Sequence, residues 1–228
     1  MKKSISAFVI IMSISLICGM NSFAQKKFKG IILYSVSYSG TIDPATAAQL
    51  PKSQSMAIYE NKQKTTTDAG GIIFDVITDG DAKTRTTLID AMGQKMYYKE
   101  STEEINTSLS ENGEPVITYK DETKTIAGYT CKKAEYTVTK DGESYTSTVY
   151  YTEELGGEAL NFGDSFNKLK GVPLESSVKT PDGWIITTTA TEVKKGKVKD
   201  TDLLIPADYI ELSPEQKVEI MNQLKGGE

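Results

Sequence analysis

Residues 31–39 read Ile-Ile-Leu-Tyr-Ser-Val-Ser-Tyr-Ser, and this stretch decides the fold class. In an extended chain Ile32, Tyr34, Val36 and Tyr38 point to one side, and Ser35, Ser37 and Ser39 to the other. A period of two with serine on the wet side is the signature of a half-buried β-strand. The pattern recurs at 56–59, 64–68, 72–78, 84–89, 95–99, 116–120, 130–139, 145–152, 174–180, 184–194 and 203–205. Thr, Tyr, Val and Ile fill these windows, as suits a pleated surface.

Turn chemistry agrees with the strands. Asp79-Gly80, Asp141-Gly142 and Asp182-Gly183 lie between alternating runs, where Asp and Gly tolerate positive φ, and each predicts an antiparallel hairpin. Asn61 and Met92-Gly93 mark two more tight connections, giving a meander over residues 54–99. Helical signals are few and sit in the connections. Asp43-Pro44 opens a short Ala-rich segment within 41–53, and Ser101 precedes acids in a segment over 101–108. Ser213-Pro214-Glu215 opens a terminal helix to about residue 224, with Val218, Met221 and Leu224 as its apolar stripe. The expected architecture is mainly β with a few short helices: a curved, all-antiparallel sheet of sandwich or barrel type.

Several strands are apolar on both parities. Ile72, Phe74 and Val76 oppose Ile73 and Ile77; Tyr97 adjoins Tyr98, Tyr150 adjoins Tyr151, and Trp184 precedes Ile185 and Ile186. Something apolar therefore covers each face, either packed helices or a second sheet, or a ligand in a cavity lined by a curved sheet.

The chain starts with Lys2 and Lys3, an apolar run over 7–18, and small residues Ser22 and Ala24, which together predict an export signal cleaved after Ala24. Ile17 and Ser15 occupy the places where a lipoprotein signal carries a small residue and a Leu, which argues against acylation of Cys18. Residues 25–228 then form one domain, since no Gly-, Pro- or Ser-rich linker divides them. The expected address is the periplasm, without a transmembrane anchor. Loss of Lys2 and Lys3 moves the formal charge from −5 to −7.

Composition narrows the chemistry further. An acidic chain whose sole arginine is Arg85 lacks the basic surface that nucleic acid needs. Histidine is absent, which excludes Ser-His-Asp and Cys-His catalysis, His-ligated zinc and His-ligated haem. Cys131 alone follows the signal, so no intramolecular disulfide forms in the mature chain; a small, buried strand residue is the expected role.

Weak chemical constellations do not change this reading. Asp79 and Asp81 flank Gly80, but the glutamate that would close a calcium loop is missing. Glu103-Glu104 and Glu153-Glu154 read as charged loop or helix-start residues. Ser165-Phe166-Asn167-Lys168 matches the bare Ser-x-x-Lys spacing without its supporting motifs. Neither catalytic residue nor metal or other cofactor is expected.

The segment 124–134, Lys-Thr-Ile-Ala-Gly-Tyr-Thr-Cys-Lys-Lys-Ala, resembles the recurrent K-x-I-x-G-Y-x-C-x-K-A element of exported bacterial proteins of unknown function related to the GLPGLI family. Residues 149–155 (Val-Tyr-Tyr-Thr-Glu-Glu-Leu), 169–174 (Leu-Lys-Gly-Val-Pro-Leu) and 204–209 (Leu-Ile-Pro-Ala-Asp-Tyr) are similar to elements of the same group in the same order. Those proteins resemble in turn the LolA-like group. The resemblance implies an incomplete antiparallel barrel curled around helices, with an apolar concave face for lipid or acyl chains. Physically, Gly128 suits a bulge or close backbone approach at the entry of a strand, and burying Cys131 requires a bulge near Lys132, since strict alternation puts Cys131 opposite Ala134.

Two functions are expected. The first is an exported, non-enzymatic binding protein holding a lipid or other apolar ligand, with Tyr34, Phe74, Tyr98, Phe162 and Trp184 as candidate lining. The second is a structural or protein-interaction component of the cell envelope whose concavity is filled by its own chain.

Overall fold

The computed structural model describes residues 27–111, 113–140, 142–180 and 183–225. The export signal and its cleavage after Ala24, Cys18, Asp141 and Asp182 lie outside the described residues.

In chain order the strands are β1 (Lys29–Ser39), β2 (Ser53–Tyr59), β3 (Lys62–Ala69), β4 (Ile72–Asp79), β5 (Thr84–Ala91), β6 (Gln94–Glu100), β7 (Val116–Ile126), β8 (Tyr129–Lys140), β9 (Glu143–Thr152), β10 (Val172–Lys179), β11 (Ile185–Lys195) and β12 (Ile210–Glu211). They form one open, curved sheet in the order β12-β6-β5-β4-β3-β2-β1-β11-β10-β9-β8-β7. β1 is thus the spine, with one wing of strands to each side. Every ladder is antiparallel except the last: Ile210 and Glu211 run parallel to Met96 and Tyr97, a correction to the all-antiparallel expectation. The reason is topological, since β12 is reached by a long return from β11 and not by a hairpin.

The alternation in 31–39 holds in β1, where Ile32 and Tyr34 are buried and Ser35, Ser37 and Ser39 exposed. Opposite Ile32 sits Met56, and opposite Gly30 sits Ile58, both also buried. Hairpin turns follow the sequence in part. Met92 and Gly93 both take positive φ, 54° and 89°. The connection after Asp79 instead runs over Gly80–Lys83, and the positive φ falls on Lys83. Gly80 is required by close approach, because a Cβ there would lie 2.1 Å from the Ala159 carbonyl oxygen. Gly128 is the reverse case: with Ala127 it forms the β7–β8 turn at φ 48° and 84°, and nothing crowds it.

The helices are α1 (Pro44–Gln49), α2 (Thr102–Glu111) and α3 (Pro214–Lys225). Asp43 caps α1 through the Thr46 N–H (2.9 Å). Ser101 and Glu104 form a reciprocal capping box at α2, at 3.2 and 2.8 Å. Ser213 and Gln216 do the same at α3. Of the expected apolar stripe of α3, Val218 is 58% exposed and Met221 half-buried. Among the described residues, no helix is long and apolar enough to cross a membrane.

Two chain segments cover the sheet's faces. Residues 153–171, between β9 and β10, place Ala159 against Gly80, send the Gly163 carbonyl to Arg85 on β5, and accept the Tyr136 hydroxyl of β8 at the Asn167 carbonyl (3.2 Å). A segment that touches both wings lies on the side toward which the sheet curls. Leu155, Leu160 and Leu169 are essentially fully buried there, and Asn161 donates to the Leu169 and Gly171 carbonyls (2.8 and 2.9 Å). On the opposite face of the first wing, residues 196–209 cross β2 and β3 as a strap, with Asp200 bound to Lys62 (3.0 Å) and Asp208 to Lys95 (2.7 Å). Leu203 is buried in the strap, and Leu88, on the strapped face, is 1% exposed. These two coverings account for part of the two-sided apolar character of this wing, although Ile73 stays 39% exposed.

Cys131 is wholly buried beside Tyr34, Leu155 and Leu174, as its expected role requires. The irregularity lies in β7, where the register shifts between Tyr119 and Thr123 opposite Lys132–Ala134, and not in β8 itself. An extra length on the outer strand turns the edge while β8 stays in register with β9.

Candidate functional site

At one end of the concave side, four chain segments that are remote in sequence meet. The Lys27-Phe28-Lys29 entry to β1 is fixed by the Glu60 N–H donating to the Phe28 carbonyl (2.9 Å) and the Gly196 N–H to that of Lys29 (2.7 Å). The Phe28 ring folds back over Gly30: a Cβ at Gly30 would sit 2.6 Å from its Cζ and 2.4 Å from the Lys194 carbonyl oxygen. Tyr129 arrives at the start of β8, Lys195 at the end of β11, and Glu154-Leu155 from the segment after β9. Together they enclose a cleft of about 450 Å³. Phe28, Tyr129 and Leu155 give it an apolar lining, and Lys27, Lys29, Lys195 and Glu154 are its charged groups. The size falls in the range of ligand sites. Lys27, Phe28 and Glu154 also line an adjoining recess of about 200 Å³ that includes Glu60, Asn61, Glu153 and Lys170.

The charged groups differ in how they are held. Lys29 Nζ stands 3.9 Å over the Tyr59 ring and 3.2 Å from Glu60, and hydrogen bonding to Tyr59, then Glu60, raises its pKa above the usual lysine value. Lys27 shares Glu60 at 3.8 Å and reaches Asp81 at 3.9 Å. Lys195 lies 5.5 Å from the Tyr129 ring centre and has no carboxylate partner among the described residues. The Tyr129 hydroxyl is enclosed and has no hydrogen-bond partner. An unpaired buried donor is costly, so a group that supplies an acceptor is favoured there.

The residues expected from sequence to line a site are dispersed. Tyr34 is core: its hydroxyl donates to the Pro173 carbonyl (3.0 Å), and burial drives its pKa far upward. Phe74 is half-buried on β4, cross-strand from Thr67 and Ile89. Phe162 is half-buried in the segment that fills the concavity. Trp184 is half-buried beside β11, with its backbone N–H donating to Thr180 Oγ1 (3.1 Å). Tyr98 is buried and lines a different cavity of about 460 Å³, with Arg85 and Glu100 from the sheet, Glu103, Glu104 and Thr107 from α2, and Lys217 and Met221 from α3. None of the five lines the Tyr129 cleft.

Next to Tyr98, Arg85 binds Glu100 through two hydrogen bonds of 2.7 Å and donates a third to the Gly163 carbonyl. Glu100 raises the Arg85 pKa further, so the guanidinium stays charged although partly buried. This pair pins the concave segment to the sheet. Lys217 closes the cavity from α3, bonding the Lys99 carbonyl (2.9 Å) and Glu104 (2.5 Å).

The remaining constellations are structural. Asp79 accepts from the N–H groups of Asp81 and Ala82 (3.1 and 2.9 Å) and pairs with Lys62 at 3.5 Å. Lys168 pairs with Glu114 (2.7 Å) rather than with Ser165. Cys131 has its pKa pushed up to about 11 by burial, which keeps it a thiol. Among the described residues, no group of three or more His, Cys, Asp or Glu is placed to hold a metal ion.

The sequence signal for the cleft lay in the Lys-Phe-Lys at 27–29 and in the Gly-Tyr at 128–129. Neither names the other, because the ladder order alone brings them together. The chain matches no known family model and no curated protein.

Proposed function

We propose that this chain is an exported, non-enzymatic binding protein of the bacterial envelope, that its apolar ligand enters the Tyr129 cleft, and that it is a LolA-like relative of the GLPGLI-type proteins. The observation that carries the reading is an apolar-lined cleft of about 450 Å³ at the end of the curved sheet, beside the packed cluster of Tyr34, Leu155 and Leu174. The K-x-I-x-G-Y-x-C-x-K-A element supports it from the sequence side, since Tyr129 of that element supplies the cleft wall and Cys131 the core behind it. An open sheet curled around an inserted segment supports the LolA-like relation. Each methylene buried from water would contribute roughly 0.8 kcal/mol before the costs of association.

The test is native mass spectrometry of the purified mature chain, followed by titration with an apolar fluorescent dye. A bound lipid mass, or dye binding weakened by Phe28→Ala, is the expected result. A chain that carries no lipid and binds no dye overturns the reading.

A structural or protein-interaction role is the second reading, favoured by one observation: Leu155, Leu160 and Leu169 occupy the concave side themselves. Stoichiometric recovery of one envelope protein with no bound lipid would select it.

A further inference from the structure

The cleft's charge pattern says more than its apolar lining does. Three lysines face one glutamate across it, and two outside acids, Glu60 and Asp81, pair with Lys27 and Lys29. Lys195 is left with an aromatic face and no carboxylate among the described residues. Beneath it Tyr129 holds an enclosed hydroxyl with no acceptor. A site with apolar walls, one ammonium group without a carboxylate and an unused donor is complementary to a ligand with one apolar chain and one anionic end.

Resting on the apolar-ligand reading above, we propose that the Tyr129 cleft takes a single-chain amphiphile with an oxyanion head. The head meets Lys195 and Lys29, and the chain lies against Phe28, Tyr129 and Leu155. Carboxylate and phosphate heads share this chemistry. A neutral head would leave the Lys195 ammonium without a counter-charge, and a cationic head would meet a like charge at Lys195.

The experiment is calorimetric titration of the delipidated mature chain with dodecanoate, dodecyl phosphate and dodecanol, each below its micelle concentration, at low and high salt. Both anions are expected to bind at least about tenfold more tightly than dodecanol, with the advantage shrinking at high salt. Lys195→Gln, an exposed position whose thermal midpoint should not move, is expected to cost the anions about tenfold and dodecanol nothing. Phosphate preferred over carboxylate, or the reverse, identifies which oxyanion the rim fits, and either supports the proposal. Equal affinity for dodecanol and the anions overturns the head-group assignment and leaves the apolar reading standing. Undiminished anion binding by Lys195→Gln also overturns the assignment. Failure of all three ligands to bind overturns both.

Discussion

The two wings of the sheet are built differently, although both consist of antiparallel hairpins. From β2 to β6 every ladder runs without a register shift. In the other wing the register breaks between Tyr119 and Thr123 and again between Pro173 and Glu175, and the spine itself slips against β11 between Leu33 and Tyr34. The regular wing is partly covered on both faces by segments from elsewhere in the chain, and Ile73 stays 39% exposed. The irregular wing bends around residues 153–171 and leaves its outer face to ion pairs such as Lys124–Glu175 (2.7 Å) and Lys133–Glu122 (2.9 Å). Irregularity is thus the means by which a sheet encloses its own insert: extra residues add local twist where the chain must turn.

If the inserted segment is core and not an ornament, truncating it should have the largest effect. Leu160→Ala is expected to cost about 3 kcal/mol in urea denaturation, because a fully buried leucine leaves a cavity. A loss under about 1 kcal/mol would break the claim that this segment holds the wings together. Glu100→Ala should cost about 2 kcal/mol, since it orphans Arg85; the side chains are 23% and 8% exposed, so solvent relieves part of the penalty of a fully buried pair. Exchange of the amides around Gly163 should quicken in the same variant, and its absence would show that Arg85 does not pin the segment.

Of similar size is an alkaline effect. Burial raises the Cys131 pKa from 9.0 to about 11, so the fold favours the neutral thiol. The resulting stability is fully present below pH 9 and is lost as pH rises from 9 through 11, a fall of about 2 to 3 kcal/mol. Cys131→Ala should flatten the stability curve by that amount over this window, while an unchanged slope would mean that the thiol is not the titrating group. The smallest effect is expected on the outer face. Lys133→Ala, which removes the partner of a half-exposed glutamate, should cost under about 1 kcal/mol and less in high salt. A larger loss would mean that the irregular wing depends on its charges and not on its insert.

The regular wing was also the more legible one. Strands at 56–59, 64–68, 72–78, 84–89 and 95–99 are visible because alternation and turn residues are local, and the meander joins neighbours in sequence. The caps at Asp43, Ser101 and Ser213 are equally local. What failed to show was whatever depends on distant partners. Gly80 looked like a turn glycine, but its requirement comes from Ala159. Val218 belongs to the apolar stripe expected of the terminal helix, yet α3 leaves it in solvent. Tyr34, Phe74, Tyr98, Phe162 and Trp184 share size and not location, because large aromatic groups serve the core as readily as a ligand. The cleft has no signature in the sequence because its walls are the ends of elements, where periodicity carries no information.

By itself the sequence determined that this chain is mainly β, where most of its strands and turns fall, and that no histidine chemistry is available to it. A period of two fixes which residues share a face, and Asp, Gly and Ser fix where the chain reverses or caps. Tertiary structure alone decided that the concave face is filled by residues 153–171, that a strap covers the first wing, and that Phe28, Tyr129, Leu155 and Lys195 share one cleft. The reason is that alternation states that a face must be buried without stating what buries it. That choice rests on which distant segments reach the face with matching shape and charge, and those contacts form only when the sheet has curled around them.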